Sequence, residues 1–200
     1  MLEDARAIAP LVAPFILVRS GARRLIDTGG SHGLYSALLL REEVFELTDA
    51  IGLSRDIAVE QGYAELVSHR ALDVLTQSWD AEVDVTLLNN VVHHFTSADC
   101  ASILQRLRAT MVPDATIAIL EWTAPASADP PNLVRGALAL CFRTHSRGLC
   151  HDTAEYSRWL AEAGFVGIRV RRPIMAPHRL LVTARVPRSD QAGAAFPAGS

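Results

Sequence analysis

Lysine is absent from this 200-residue chain: all 19 basic residues are arginine, set against 22 acidic ones for a net charge of −3. The absence is a compositional trait, but the balance has a consequence. There is no cationic surplus of the kind that phosphate backbones and anionic lipids select, so neither nucleic acid nor membrane is an expected partner. No apolar run reaches the roughly 18 residues that a bilayer span needs, because Pro10, Pro14 and Arg19 interrupt the N-terminal hydrophobic stretch. That opening lacks a basic n-region and a clear cleavage site, which argues against secretion. Cysteine is sparse and odd in number (Cys100, Cys141 and Cys150), a set that fits a reducing compartment better than a disulfide framework, and the expected location is cytoplasmic.

Apolar residues make up 50% of the chain, enough for one substantial core. Short apolar runs alternate with longer amphipathic segments. Strands are expected at 24–27, 44–47, 66–71, 83–88, 116–122, 166–171 and 180–186, several of them continuously apolar as in a parallel sheet covered on both faces. Helices are expected at 33–40, 53–61, 97–111, 132–145 and 153–163, the last with Thr153 as N-cap and Gly164 as its stop. The N-terminal stretch before the first strand has room for one helix. The pattern predicts a doubly wound α/β, Rossmann-like sheet of seven strands, mostly parallel with an antiparallel terminal strand, in a single domain over 1–186. The Ala-, Gly-, Pro- and Ser-rich tail 187–200 is expected to be disordered.

In such sheets ligands sit at the carboxyl ends of the strands. The most specific local signal lies there: Leu25-Ile26-Asp27-Thr28-Gly29-Gly30-Ser31-His32-Gly33, an apolar strand entering a glycine turn that opens a helix. Glycines let the backbone approach a ligand, and the helix start offers N–H donors. Glu46 closes the second strand nineteen residues after Asp27, where a carboxylate can accept both hydroxyls of a ribose. Asp73 ends the third apolar segment. The turn departs from the dinucleotide pattern, since Ser31 stands where a spaced glycine would be and Asp27 precedes the glycines.

These segments, with Asp84-Val85-Thr86-Leu87-Leu88-Asn89-Asn90-Val91-Val92-His93-His94-Phe95, resemble in order and spacing the class I S-adenosylmethionine-dependent methyltransferases. Leu107 to Glu121 and Thr153 to Phe165 extend the likeness from about Arg24 to Val186. The resemblance implies S-adenosylmethionine as cofactor, with Asp27, Gly29, Gly30 and Gly33 around its methionine part, Glu46 on the ribose, Asp73 near the adenine and Asn90 lining the methionine side. Ser31 in the turn and Asp114-Ala115 in place of the usual Gly-Gly are departures that would lower cofactor affinity. No metal is implied; Cys141, His145, Cys150 and His151 match no standard zinc spacing.

Within the class, Val92-His93-His94-Phe95 followed by Asp99, Cys100 and Leu104 most resembles the small-molecule O-methyltransferases of the plant-like and bacterial natural-product group. There a histidine after the fourth strand is general base and a glutamate ending the fifth strand supports it; His93 and Glu121 fall on those positions. A histidine can deprotonate a hydroxyl near neutral pH, and a carboxylate on its far nitrogen fixes the tautomer. Two alternatives stay open: His93 covers the cofactor while catalysis is by proximity, and Glu121 is a structural carboxylate. His94 is expected to pack or to cap the helix at Ser97. The family's second carboxylate loop has no clear match, and His151 and Asp152 either replace it or cap the following helix. Helix 132–145, with Phe142, and Trp122 either pack or line an acceptor pocket.

Relatives in this group carry a helical N-terminal domain that closes the acceptor pocket. The chain therefore reads as a stand-alone catalytic domain whose site takes a large or carrier-bound acceptor, or is completed by another polypeptide, as a homo-oligomer or partner subunit. The expected function is methyl transfer to a small-molecule acceptor, most readily at oxygen, in bacterial secondary metabolism. The alternatives are another use of the cofactor, such as aminocarboxypropyl transfer, and a non-catalytic subunit with this fold.

Overall fold

A computed structural model describes residues 2–39, 42–46, 51–77, 82–122, 133–145, 151–174, 176 and 179–189. Its elements run α1 (Leu2–Val12), β1 (Leu25–Thr28), α2 (Leu34–Leu39), β2 (Glu42–Glu46), α3 (Ile51–Glu60), β3 (Val67–Ala71), β4 (Val83–Asn89), α4 (Ser97–Thr110), β5 (Met111–Trp122), α5 (Leu133–His145), α6 (Thr153–Glu162), β6 (Val166–Arg171) and β7 (Arg179–Arg185). The strands join in one mixed α/β sheet, in the order β3-β2-β1-β4-β5-β7-β6. Strands β1 to β5 pair in parallel. Strand β7 runs antiparallel to both of its neighbours. The order turns outward on either side of β1 and β4, and at such a switch point the carboxyl ends of the strands part to leave a crevice.

Two apolar layers cover the sheet, sorted by the strand pleat. Leu25, Val85, Leu87, Ala118 and Leu120 face α1, which presents Ala5, Ile8, Ala9 and Val12 at helical spacing. Ile26, Leu88, Ile117, Ile119 and Val182 face α4 and α6, which supply Ile103, Leu104, Leu107, Tyr156, Trp159 and Leu160. Every residue of β4 is buried, and its apolar members divide between the two layers, Val83 and Leu88 on one side, Val85 and Leu87 on the other. Of its polar residues Asp84, Thr86 and Asn89, Asp84 is the charged one. It accepts hydrogen bonds from the Arg23 and Arg24 backbone N–H groups at 2.8 and 3.0 Å and from the Arg19 guanidinium at 2.6 Å. Burial alone would raise its carboxyl, but these donors win and hold it below the ordinary range.

Several local expectations need correction. The N-cap of α6 is Asp152 and not Thr153: its carboxylate accepts from Glu155 N while Glu155 reaches back to the Asp152 N–H, a reciprocal box that a threonine one residue later cannot make. Of the two roles left open for His94, packing holds, against His93, while the helix at Ser97 is capped by Thr96 with Asp99. Strand β5 begins at Met111, five residues ahead of the start expected at Thr116. The pairing passes from Val83–Met111 to Val85–Thr116, so the extra residues bulge out of register. Asp114 takes φ +61° there, the left-handed conformation for which the family's usual glycine would be suited. Residues 190–200, most of the expected tail, lie outside the described part, as do 146–150 with Cys150.

Candidate functional site

Strand β4 ends in a tight reversal. Asn90 takes φ +55°, its N–H donates to the Leu120 carbonyl at 2.9 Å, and a short 3-10 turn over Val92–His94 follows. The turn delivers His93 onto the end of β5, where Glu121 is fully buried. His93 Nδ1 lies 2.7 Å from Glu121 Oε2. Glu121 Oε1 accepts from Val92 N at 2.6 Å and His93 N at 3.4 Å, and Oε2 also accepts from Trp122 N at 3.3 Å. A carboxylate can only accept here, so Nδ1 carries the proton and Nε2 is the basic nitrogen of the ring. The His93 ring is stacked on Phe142 of α5 at 4.1 Å between centroids, and His94 packs on it at 4.2 Å. His93 is 5% exposed, so the pair is dry and held on three sides.

The turn is braced from below. His151, itself buried, brings Nε2 within 3.2 Å of the Phe95 carbonyl and 3.8 Å of Cys100 Sγ, while Cys100 Sγ donates to the Val92 carbonyl at 3.7 Å. Burial, aided by the charges of Glu121, Asp99 and Glu155, pushes the Cys100 thiol up to about 12, which makes it packing material rather than a nucleophile. Of the two residues left open as replacements for the missing loop carboxylate, Asp152 caps α6 and His151 supports the turn that carries His93.

Across the crevice, Asp27 is fully buried at the end of β1. Its carboxylate accepts from Ser36 Oγ at 3.1 Å and Asn89 Nδ2 at 3.4 Å. Gly29 and Gly33 take φ +68° and +72°, and a Cβ on Gly30 would lie 2.4 Å from Asp27 Cγ. The backbone thus wraps directly over a buried carboxylate, an approach that a side chain at position 30 would block. Asp73 is exposed at the end of β3, and its oxygens take the Leu75 N–H at 2.9 Å and the Thr76 hydroxyl at 2.8 Å. These bonds hold its carboxyl below the ordinary range. Glu46 closes β2, and its side chain lies outside the described part.

Two site residues escaped sequence reasoning. Asn89 bonds Asp27; the Asn89-Asn90 pair ending an apolar strand was its signal. Arg179 opens β7 opposite Trp122, is almost fully buried, stacks over the Trp122 indole at 3.6 Å and donates to Asn90 Oδ1. An arginine heading the apolar Leu180–Val182 run is its trace in the sequence, but its partners are distant in the chain.

His32, inside the glycine turn, accepts from Leu34 N through Nδ1 at 3.1 Å. Burial pulls it from 6.5 to about 4. The folded chain keeps the ring neutral while the unfolded chain takes up a proton below pH 6.5, so stability present above that pH is lost as pH falls toward 4. About 2 kcal/mol should be gone by pH 5, lowering Tm by about 4–8 °C relative to pH 7.5. Thermal unfolding of the wild type and His32→Asn at the two pH values checks this: asparagine keeps a local acceptor but does not titrate, so much of the slope should vanish.

The chain belongs to the O-methyltransferase domain family, whose pattern matches residues 15–166. It is 28% identical over 174 residues to acetylserotonin O-methyltransferase of Mus musculus, covering 82% of this chain and 44% of that protein. The fold is shared with the O-methyltransferase family 2 protein from Planctomyces limnophilus solved with apigenin (TM-score 0.79, 19% identity, 92% of this chain and 58% of that one). It is also shared with the mitomycin 7-O-methyltransferase MmcR (TM-score 0.77, 21% identity, 92% and 54%). The chain thus spans roughly half the length of these relatives. Methyltransferases of the family use S-adenosylmethionine. The donor set fits that group chemically: a buried carboxylate under a glycine turn, bonded by Asn89, suits a ligand that carries a sulfonium and an ammonium.

Proposed function

We propose that this chain transfers the methyl group of S-adenosylmethionine to an oxygen of a small-molecule acceptor, with His93 as general base and Glu121 as its support. The observation that carries the reading is the 2.7 Å contact between His93 Nδ1 and a fully buried Glu121 oxygen. Relatives named for acetylserotonin O-methylation and mitomycin 7-O-methylation support an oxygen nucleophile, and the latter supports a setting in natural-product biosynthesis.

Gly29, Gly30 and Gly33 with Asp27 would hold the methionine part of the donor, Asn90 its side, Glu46 its ribose and Asp73 the adenine region. When bound, the donor supplies an electrophilic methyl group; the remaining chemistry belongs to the chain. His93 Nε2 takes the proton of the acceptor hydroxyl, making a far better nucleophile. The positive charge that forms on the ring is stabilised by Glu121 at Nδ1, in surroundings from which Phe142 and His94 exclude water. Glu121 also accepts from the backbone of the turn that carries His93, so the base is fixed before any acceptor arrives. The acceptor would approach past Phe142 and Trp122, and a carrier-bound acceptor or a completing polypeptide belongs to the same proposal.

The test is incubation with S-adenosylmethionine bearing a labelled methyl group and a panel of phenolic and aliphatic hydroxyl compounds, read by mass spectrometry. A product heavier by one labelled methyl on oxygen is expected. An acceptor product heavier by an unlabelled aminocarboxypropyl group, with the label left in methylthioadenosine, would indicate aminocarboxypropyl transfer, and absence of S-adenosylhomocysteine binding by calorimetry would indicate a non-catalytic subunit.

A further inference from the structure

The glycine turn has one residue in a costly conformation. Ser31 takes φ +49°, a left-handed geometry that disfavours any side chain beyond glycine, and the family pattern has glycine there. Something must hold it. Gly33 N donates to the Gly30 carbonyl at 3.0 Å, which closes a four-residue turn around Ser31 and His32. A second hold comes from two strands away. His69 of β3 is level with Val44 of β2 and, through it, with Asp27 of β1. Its Nε2 lies 3.1 Å from the Ser31 carbonyl. A carbonyl only accepts, so Nε2 bears the proton and donates. His69 is buried and its own carbonyl accepts from Arg55 Nη2 of α3 at 2.9 Å, so the brace is anchored at both ends.

We propose that His69 is a positioning residue of the donor site, holding the Ser31 peptide in the left-handed conformation that a glycine would adopt unaided and so presenting the turn to the methyl donor. The inference rests on the reading that turn 29–33 binds the donor. The competing explanation is that His69 only fills space between α3 and the sheet edge. The two differ in what a phenylalanine would do, since it keeps the volume and removes the N–H.

S-adenosylhomocysteine binding by calorimetry decides between them, with circular dichroism confirming the fold of each variant. His69→Ala and His69→Phe are both expected to weaken binding by about five- to tenfold, the worth of one lost hydrogen bond together with the released turn. In a Ser31→Gly background the same substitutions should cost less than about threefold, because glycine reaches the turn geometry without the brace. Should His69→Ala fail to fold, His69→Phe carries the comparison. Binding by His69→Phe equal to wild type, or a loss as large in the Ser31→Gly background as with the native serine, would overturn the proposal. If the wild type itself binds no S-adenosylhomocysteine, the donor-site reading fails and takes this inference with it.

Discussion

Replacing His93 by alanine is expected to lower kcat by about two to four orders of magnitude, the usual worth of general base catalysis, while S-adenosylhomocysteine binding stays within about threefold. The separation follows from the geometry: His93 hangs on the β5 end by its bond to Glu121, while the carboxylate under the glycine turn is held by Ser36 and Asn89. Glu121→Gln is the sharper companion. An amide oxygen can still accept from the Val92 N–H, so the turn should keep its shape, but the negative charge opposite the imidazolium is gone and the tautomer is no longer imposed. A large fall in kcat with a Tm near that of the wild type is expected. A loss of less than about tenfold in His93→Ala would leave proximity as the mechanism.

Gly30→Ala should be nearly as damaging at the opposite wall. The new Cβ would lie 2.4 Å from Asp27 Cγ and 2.5 Å from its Oδ2, and Asp27 cannot retreat because Ser36 and Asn89 hold it in a buried strand. The turn must therefore lift. Overpacking of this kind costs about 1–3 kcal/mol, which corresponds to a loss of about ten- to a hundredfold in donor affinity and several degrees in Tm. Gly52→Ala is the control: it sits inside α3 with nothing within 4 Å of the added carbon, so both quantities should hold or improve slightly. Calorimetry and thermal unfolding of the two variants read the contrast.

What could be read from the sequence was whatever has a short period. The runs of β4 and β5 announced strands buried on both faces, and the Cys100, Ile103, Leu104, Leu107 spacing announced a helix over the sheet. The Asp27 to Gly33 turn and the His93 and Glu121 pair were legible through resemblance, because their positions relative to strand ends are fixed by the fold. Partners set by register were not. Arg179 and Trp122 face each other only because β7 reverses against β5, and His69 meets Ser31 only because the strand order sets β3 two places from β1. The cap at α6 went to Asp152 over Thr153 because the Glu155 reply has to come from three residues on.

The bulge between Met111 and Thr116 isolates the working end of β5 from its beginning. Successive residues there serve opposite sides of the sheet: Glu121 reaches the turn bearing His93, while Trp122 lies beneath Arg179. A slip of one position would transpose these duties and put an indole where the carboxylate belongs. Extra residues taken up in the bulge leave that register unchanged, so chemistry at the rim is insulated from a change of length at the opposite end of the same strand.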